Sequence, residues 1–167
     1  MVSYNNFLTK DECDYIIKYT QTTLVPSENI TSNRNLQLYH INDYTDFGFL
    51  KEKLENINVF NEPVFNINLY NEGCFFSPHA DIGGKNDVNR ERIKTIIINI
   101  SEPHSYDGGE LLVRNVLMEQ TQGSLFMFNS NVIHEVKEIT NGYRYSIVIW
   151  PKKEHLFIDI NNKNNLI

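Results

Sequence analysis

The spacing of apolar positions changes about a third of the way along the chain and divides it into a helical lead and a strand-rich remainder. Over residues 9–23, Cys13, Ile16, Ile17 and Thr20 share one stripe at helical spacing. Thr9-Lys10-Asp11-Glu12 before it has the form of a capping box, in which a hydroxyl and a carboxylate satisfy amides that a helix start leaves orphaned. Phe47, Leu50, Leu54 and Ile57 recur at intervals of 3, 4 and 3 and predict a second helix over about 45–57. Between the helices, the polar stretch 26–35 reads as a mobile loop, followed by a short strand over 36–41.

Beyond Pro63 the pattern becomes one of short strands, predicted at 64–70, 74–79, 93–100, 110–114, 124–128, 132–136, 143–150 and 156–160. Turn signals separate them: Asn71-Glu72-Gly73, Gly83-Gly84, Asp107-Gly108-Gly109, Gln122-Gly123, Asn129-Ser130-Asn131 and Asn141-Gly142. Strands this short at near-even spacing predict an antiparallel sandwich or barrel rather than βαβ units. The expectation is a single domain over 1–167, mainly β with flanking helices (α+β). Helical support covers about 7–58 and the β-core about 63–160.

Composition narrows the function classes. A chain of 167 residues buries enough surface to fold without staples. Its formal net charge of −6 argues against wholesale nucleic-acid binding, which needs a basic face, but leaves room for a local basic patch. The apolar runs are far shorter than the roughly 20 residues of a membrane span, and the N-terminus lacks a basic and an apolar signal region. Cys13 and Cys74 form neither a disulfide framework nor a CxxC pair, so two reduced thiols in a cytoplasmic protein are expected. The abundance of Asn (23) and Ile (19) fits an AT-rich genome, bacterial or phage.

The chemistry concentrates in two segments. His79 and Asp81 are two apart, so on an extended strand both side chains leave one face. His134, on a later strand, offers a third ligand. Two histidines and one carboxylate leave open positions on an octahedral metal, the donor set of non-haem Fe(II) oxygenases. Arg144 follows ten residues later, on a strand whose Arg144, Ser146, Val148 and Trp150 share one face. A buried guanidinium needs a partner, and no carboxylate neighbours it on that face. A bound dicarboxylate meets the need, gripped in bidentate fashion with the Ser146 hydroxyl assisting.

The order Tyr70-x2-Gly73-x2-Phe76-x2-His79-x-Asp81, then Asp107-Gly108-Gly109-Glu110-Leu111, His134-Glu135-Val136 and Arg144-x5-Trp150 resembles the 2-oxoglutarate/Fe(II) dioxygenases. Within them it is most similar to the prolyl-4-hydroxylase-like branch, including the PKHD-type hydroxylases. The resemblance implies a double-stranded β-helix (jelly-roll, cupin-like) core with two N-terminal helices. It implies a dioxygenase using Fe(II), 2-oxoglutarate and dioxygen, with ascorbate as a candidate supporting reductant. His79, Asp81 and His134 match the iron ligands, Arg144 the partner of the distal 2-oxoglutarate carboxylate, and Tyr70 a tyrosine that hydrogen-bonds it. Asn99, Leu111 and Trp150 match positions lining the cosubstrate or iron pocket. Collagen-type members carry Lys where Arg144 stands, and oxygen-sensing members carry an aromatic where Asn99 stands, so substrate identity does not transfer. The substrate class implied is a peptidyl side chain, proline first, with no nucleic-acid or membrane partner.

Plainer readings stand beside these. Two histidines and a carboxylate also suit catalytic zinc. A free amino acid or small metabolite is an alternative substrate, and a non-catalytic cupin-like metal- or ligand-binding module an alternative function. Tyr70 and Trp150 can be core packing. His40, His104 and His155 read as surface or loop residues, and Glu135 as solvated. Lys85, Arg90, Arg92 and Lys94 read either as a lid attracting an acidic or peptide substrate or as a solvated loop.

Overall fold

The computed structural model describes residues 1–59, 64–82 and 92–151. The predicted strand over 156–160, His155, the Gly83-Gly84 turn and the Lys85 and Arg90 part of the predicted lid lie outside the described residues. Helix α1 (Lys10–Thr23) starts on the predicted capping box, with Thr9 Oγ1 accepting from the Glu12 amide and Glu12 accepting from the Thr9 amide. Helix α2 (Gly48–Asn56) is shorter than the predicted 45–57, with Phe47, at φ −130°, and Ile57 as its flanking cap residues.

Twelve strands among the described residues form a curled antiparallel sheet. In chain order they are β1 (Val2–Tyr4), β2 (Ser27–Thr31), β3 (Arg34–Ile41), β4 (Phe65–Asn71), β5 (Phe75–His79), β6 (Lys94–Asn99), β7 (Tyr106–Gly108), β8 (Leu111–Val113), β9 (Val116–Leu117), β10 (Leu125–Asn129), β11 (His134–Val136) and β12 (Ile139–Ile149). The spatial order is β1-β10-β6-β12-β4-β3-β5-β11-β8-β9, with β2 on β3 and β7 on β12. The architecture is mainly β with two helices, as expected.

Alternation along the central strands sorts side chains to two cores. On β12, Tyr145, Ile147 and Ile149 join Phe65, Ile67, Ile96 and Ile98 under Cys13, Ile16, Leu50 and Leu54 of the helices. Val148 of β12, Ile97 of β6 and Tyr70 of β4 face the other way, toward Leu111, Val113 and Val136. A strand such as Ile96-Ile97-Ile98 is apolar throughout because both of its faces are buried.

Several expectations are corrected. The 26–35 loop is mostly a hairpin, β2 pairing β3 from Ser27↔Leu38 to Thr31↔Arg34. Its β2 strand lies on an exposed edge and is held by backbone pairing, so it lacks the apolar alternation that reveals a half-buried strand. The Asn141-Gly142 turn instead lies inside β12, just past a bulge at Thr140 where the register against β7 shifts. Gly142 has φ 75°, and a Cβ there would run into the Ser105 carbonyl. The Asp107-Gly108 turn signal likewise falls within strand β7. Strands β1 and β9 are two additional short elements, with β1 completing one edge through Val2↔Met127.

Candidate active site

His79 and His134 face each other as a register pair of β5 and β11, which puts their rings 4.2 Å apart between centroids. Asp81 lies just past the end of β5, not on the extended strand that the spacing predicts, and its amide donates to the Ser130 carbonyl at 2.9 Å. The turn brings its carboxylate back between the imidazoles: His79 Nε2 is 3.6 Å from Oδ1, and His134 Nε2 is 3.5 Å from Oδ2. One ligand atom from each of the three residues lies within 4.8 Å of the others.

These distances are long for hydrogen bonds, yet close to the separation of atoms bound to one ion through bonds of about 2.1 Å. Each imidazole also has Nδ1 beside the carbonyl two residues earlier, His79 at Ser77 (2.8 Å) and His134 at Val132 (3.0 Å). Placing the ring proton on Nδ1 leaves a lone pair on Nε2 aimed at the shared point, the arrangement that outer hydrogen bonds impose on metal-binding histidines. Phe76 stacks on His79 at 3.5 Å and 12°, and Phe128 meets His134 edge-on at 5.0 Å, so neither ring turns freely.

Burial pushes the Asp81 carboxyl up. His79, His134 and the Thr95 hydroxyl, which donates to Oδ2 at 2.6 Å, outweigh it and hold the group well below the usual carboxylate range. The Trp150 indole adds to this, although its N–H makes no hydrogen bond of normal geometry among the described residues. Burial lowers the His134 imidazole; Asp81 pulls it back only partly, leaving it below the ordinary histidine value. A carboxylate anion with a neutral imidazole is the protonation state that a cation requires.

The cluster lines a cavity of about 270 Å³, into which Arg144, Ser146, Val148 and Trp150 all face. The predicted one-face arrangement of that strand therefore agrees with the structure. Arg144 is 1% exposed. Its Nε donates to Gln120 Oε1 at 3.0 Å and its Nη1 to Ser146 Oγ at 3.4 Å, while Nη2 is buried without a partner among the described residues. Tyr70 lies opposite Arg144 in the β4–β12 register, its ring centroid 5.6 Å from the guanidinium carbon.

Two predicted lining residues are elsewhere. Asn99 is fully buried behind the cavity wall, its amide donating to the carbonyls of Ser101, Gln120 and Thr121. Leu111 is fully buried core, paired with Val136. Neither lines the cavity. Arg92, one of the four residues of the predicted lid, does line it and lies over Trp150 at 3.8 Å, whereas Lys94 bonds Asn129. Four contributors escaped the sequence reading: Thr95 and Ser130 hold Asp81, Gln120 holds Arg144, and Asn68 brings to the wall a buried side-chain oxygen without a hydrogen-bond partner among the described residues. Thr95 carried a signal, as a lone hydroxyl in an isoleucine run, but Gln120 sits in an aperiodic segment that gave none.

A family model described as the 2OG-Fe(II) oxygenase superfamily matches residues 65–152. A PKHD-type hydroxylase of Pseudomonas putida (strain W619) is 34% identical over 89 residues, covering 48% of this chain and 39% of that protein. One from Cupriavidus metallidurans is 32% identical over 101 residues, covering 56% and 43%. The chain thus spans about two fifths of the length of the curated relatives it matches. Among solved structures, a Pseudomonas putida prolyl-4-hydroxylase superposes with a TM-score of 0.67 at 22% identity, over 90% of this chain and 91% of that one. A Trichoplax adhaerens prolyl hydroxylase, in complex with a hypoxia inducible factor peptide fragment, gives 0.71 at 16% identity, over 92% and 83%. These two likenesses concern the fold. With the site's three-residue cluster inside a family match that spans more than half its length, this chain belongs to the 2OG-Fe(II) oxygenase superfamily.

Proposed function

We propose that this chain is a hydroxylase dependent on Fe(II) and 2-oxoglutarate, acting on an unactivated C–H of a peptidyl side chain, proline first. The observation that carries this reading is Arg144, a buried guanidinium whose Nη2 has no partner among the described residues, opening into the same cavity as the His79–Asp81–His134 cluster. Zinc suits the three ligands equally well, but no zinc hydrolysis calls for that guanidinium. The prolyl side-chain part draws support from relatives and neighbours described as PKHD-type and prolyl hydroxylases. The curled sheet is read as a double-stranded β-helix and the chain as one catalytic domain.

In this reading His79, Asp81 and His134 hold iron. Bound iron and 2-oxoglutarate supply dioxygen activation: one oxygen atom enters succinate as CO2 leaves, and the other enters the substrate C–H as hydroxyl. The residues of the chain position and exclude. Arg144 takes the far carboxylate through the N–H groups that Gln120 and Ser146 leave over. Tyr70 and Ser146 flank that contact. Thr95 keeps the Asp81 anion oriented, and Phe76 and Phe128 keep the imidazoles from rotating and shut water from their outer faces.

The test is the visible absorption spectrum of anaerobic protein given Fe(II) and 2-oxoglutarate. The expected result is a charge-transfer band that needs both additions and is lost in Asp81→Ala. Metal binding with no such band overturns the cosubstrate assignment and returns zinc chemistry or a binding module to first place.

A further inference from the structure

One face of strand β4 is polar where its neighbours are apolar. Asn66, Asn68 and Tyr70 alternate along it and line the cavity, while Phe65, Ile67 and Leu69 fill the core on the opposite face. Asparagine is depleted in strands, and a buried amide costs stability unless it is hydrogen-bonded. Two such amides on the wall of a cavity are therefore explained by what the cavity holds.

The two amides offer opposite ends. Asn66 is half-buried, across from Val148 on β12 and His40 on β3. His40 Nδ1 lies 2.8 Å from Asn66 Oδ1. An amide oxygen only accepts, so the imidazole donates there and the Nδ2 hydrogens of Asn66 remain for the cavity. Asn68, 6% exposed, is the reverse. Burial raises the Tyr70 phenol, and Arg144 and then the Asn68 amide, as a donor, pull against that. The Nδ2 end of Asn68 is thus turned to the phenol, and its Oδ1 is buried with no hydrogen-bond partner among the described residues.

The cosubstrate proposed above cannot meet that oxygen. Every oxygen of a 2-oxoglutarate dianion is an acceptor, so placing one against Oδ1 sets lone pair against lone pair. It suits the opposite need of Arg144, whose Nη2 is a donor. Asn68 requires an N–H or O–H from a second molecule. A trans peptide group brings an N–H on one side and a carbonyl on the other. Asn66 and Asn68, about 7 Å apart as alternate residues of a strand, can take one each. Leu38 and Val148 beside them give the group an apolar bed.

We infer that Asn66 and Asn68 form a subsite for a backbone peptide group of the substrate, Asn68 Oδ1 accepting its N–H and Asn66 Nδ2 donating to its carbonyl. This rests on the function proposed above and names the part of a peptide substrate that the same site reads. Recognition falls on the main chain rather than on a flanking side chain, and a free amino acid, which has no peptide group, does not satisfy it.

The experiment uses the full chain loaded with Mn(II) and 2-oxoglutarate, so that binding is read without turnover. The probes are acetylated, amidated Gly-Ala-Pro-Ala-Gly and analogues in which one backbone N–H at a time is replaced by an ester oxygen, which removes a donor and puts an acceptor in its place. Binding is followed by the fluorescence of Trp150, the chain's single tryptophan, which lines the cavity. One ester analogue should bind about tenfold more weakly than the parent peptide. In Asn68→Leu that penalty should vanish, because no acceptor is left to satisfy. Asn66→Leu should weaken parent and analogue alike and leave their ratio unchanged. Asn68→Ala repeats the test if the Leu variant does not fold. An ester series without a penalty means that water, not substrate, meets Asn68, and it overturns the inference. A penalty that persists without the Asn68 amide, or a parent peptide that does not bind, overturns it as well. Binding of 2-oxoglutarate alone, followed by the same fluorescence, keeps the two claims apart. If it is seen while the ester penalty fails, only the peptide subsite is lost; if it is absent from the unsubstituted protein, the cosubstrate assignment falls.

Discussion

Arg144 and Gln120, 24 residues apart in the chain, are joined by a hydrogen bond of 3.0 Å from the guanidinium Nε to the amide oxygen. The bond removes one of the two edges through which a guanidinium grips a carboxylate. Asn99 in turn donates to the Gln120 backbone carbonyl at 3.1 Å, which fixes the chain from which that side chain extends. What remains for a ligand is the Nη2 side, already buried and desolvated.

Gln120→Ala therefore leaves Arg144 in place but free to turn. The half-saturating 2-oxoglutarate concentration should rise by roughly 10- to 100-fold, the equivalent of one lost hydrogen bond to a charged group. Maximal turnover and metal affinity should change little. Gln120→Glu should act more strongly, because a carboxylate there pairs with the charge that the cosubstrate needs. Steady-state kinetics in 2-oxoglutarate check both, and an unchanged requirement in both variants removes Gln120 from the positioning role.

Removing a member of the metal-binding cluster should cost function far more than fold. His79 and Asp81 are partly exposed to the cavity, and neither belongs to the two apolar cores. Asp81→Ala and His79→Ala are expected to abolish metal-dependent 2-oxoglutarate turnover while far-ultraviolet circular dichroism stays that of the parent. Loss of Asp81 also releases two imidazoles from a carboxylate, so the melting temperature shifts modestly. Turnover retained in either variant would falsify the ligand assignment.

Gly109 has φ +66°, and a Cβ there would run into Ile139 Cδ1 and come within 3.2 Å of Arg144 Cδ. Gly109→Ala thus adds backbone strain of about 1–3 kcal/mol and pushes on the base of the Arg144 side chain. The expected drop in melting temperature is about 3–10 °C for a chain of this size. Affinity for 2-oxoglutarate should weaken in the same variant. Thermal melting and the Trp150 fluorescence titration measure the two effects, and a variant unchanged in both contradicts the close packing described.

The face alternation of β12 was legible in the sequence because it is a period-two pattern, and it correctly sent Arg144 and Ser146 one way and Tyr145 and Ile147 the other. The capping box at Thr9 was legible because its chemistry is local. Features that leave no apolar pattern, or that depend on partners distant in the chain, were not. Strand β2 forms against β3 through backbone bonds and so leaves no hydrophobic signature. Gly142 looks the same in a turn and inside a strand until the Ser105 carbonyl is known to lie against it. Resemblance placed Asn99 and Leu111 on the cavity wall. In this chain Asn99 is spent on the carbonyls of Ser101, Gln120 and Thr121, and Leu111 on packing.

Stability should fall on the alkaline side through groups remote from the site. Cys13, on the buried face of α1, has no exposed surface, and burial pushes its thiol up to about 12 from an ordinary value of 9.0. Burial also raises the phenols of Tyr39 and Tyr145 in the same core. A group raised on folding keeps its proton in the native state after the unfolded chain has lost it. Its contribution is therefore intact below pH ~9 and is lost progressively as pH rises from ~9 toward ~12. The urea midpoint is expected to be flat with respect to these groups up to about pH 8.5 and to decline between pH 9 and 11. Cys13→Ala should flatten the first part of that decline, at the cost of a small cavity under Leu50 and Leu54. At pH 8, iodoacetamide should leave Cys13 unmodified in the native protein and label it fully in urea, as read by peptide mass spectrometry. Rapid native labelling of Cys13 would mean that α1 does not seal this face of the sheet.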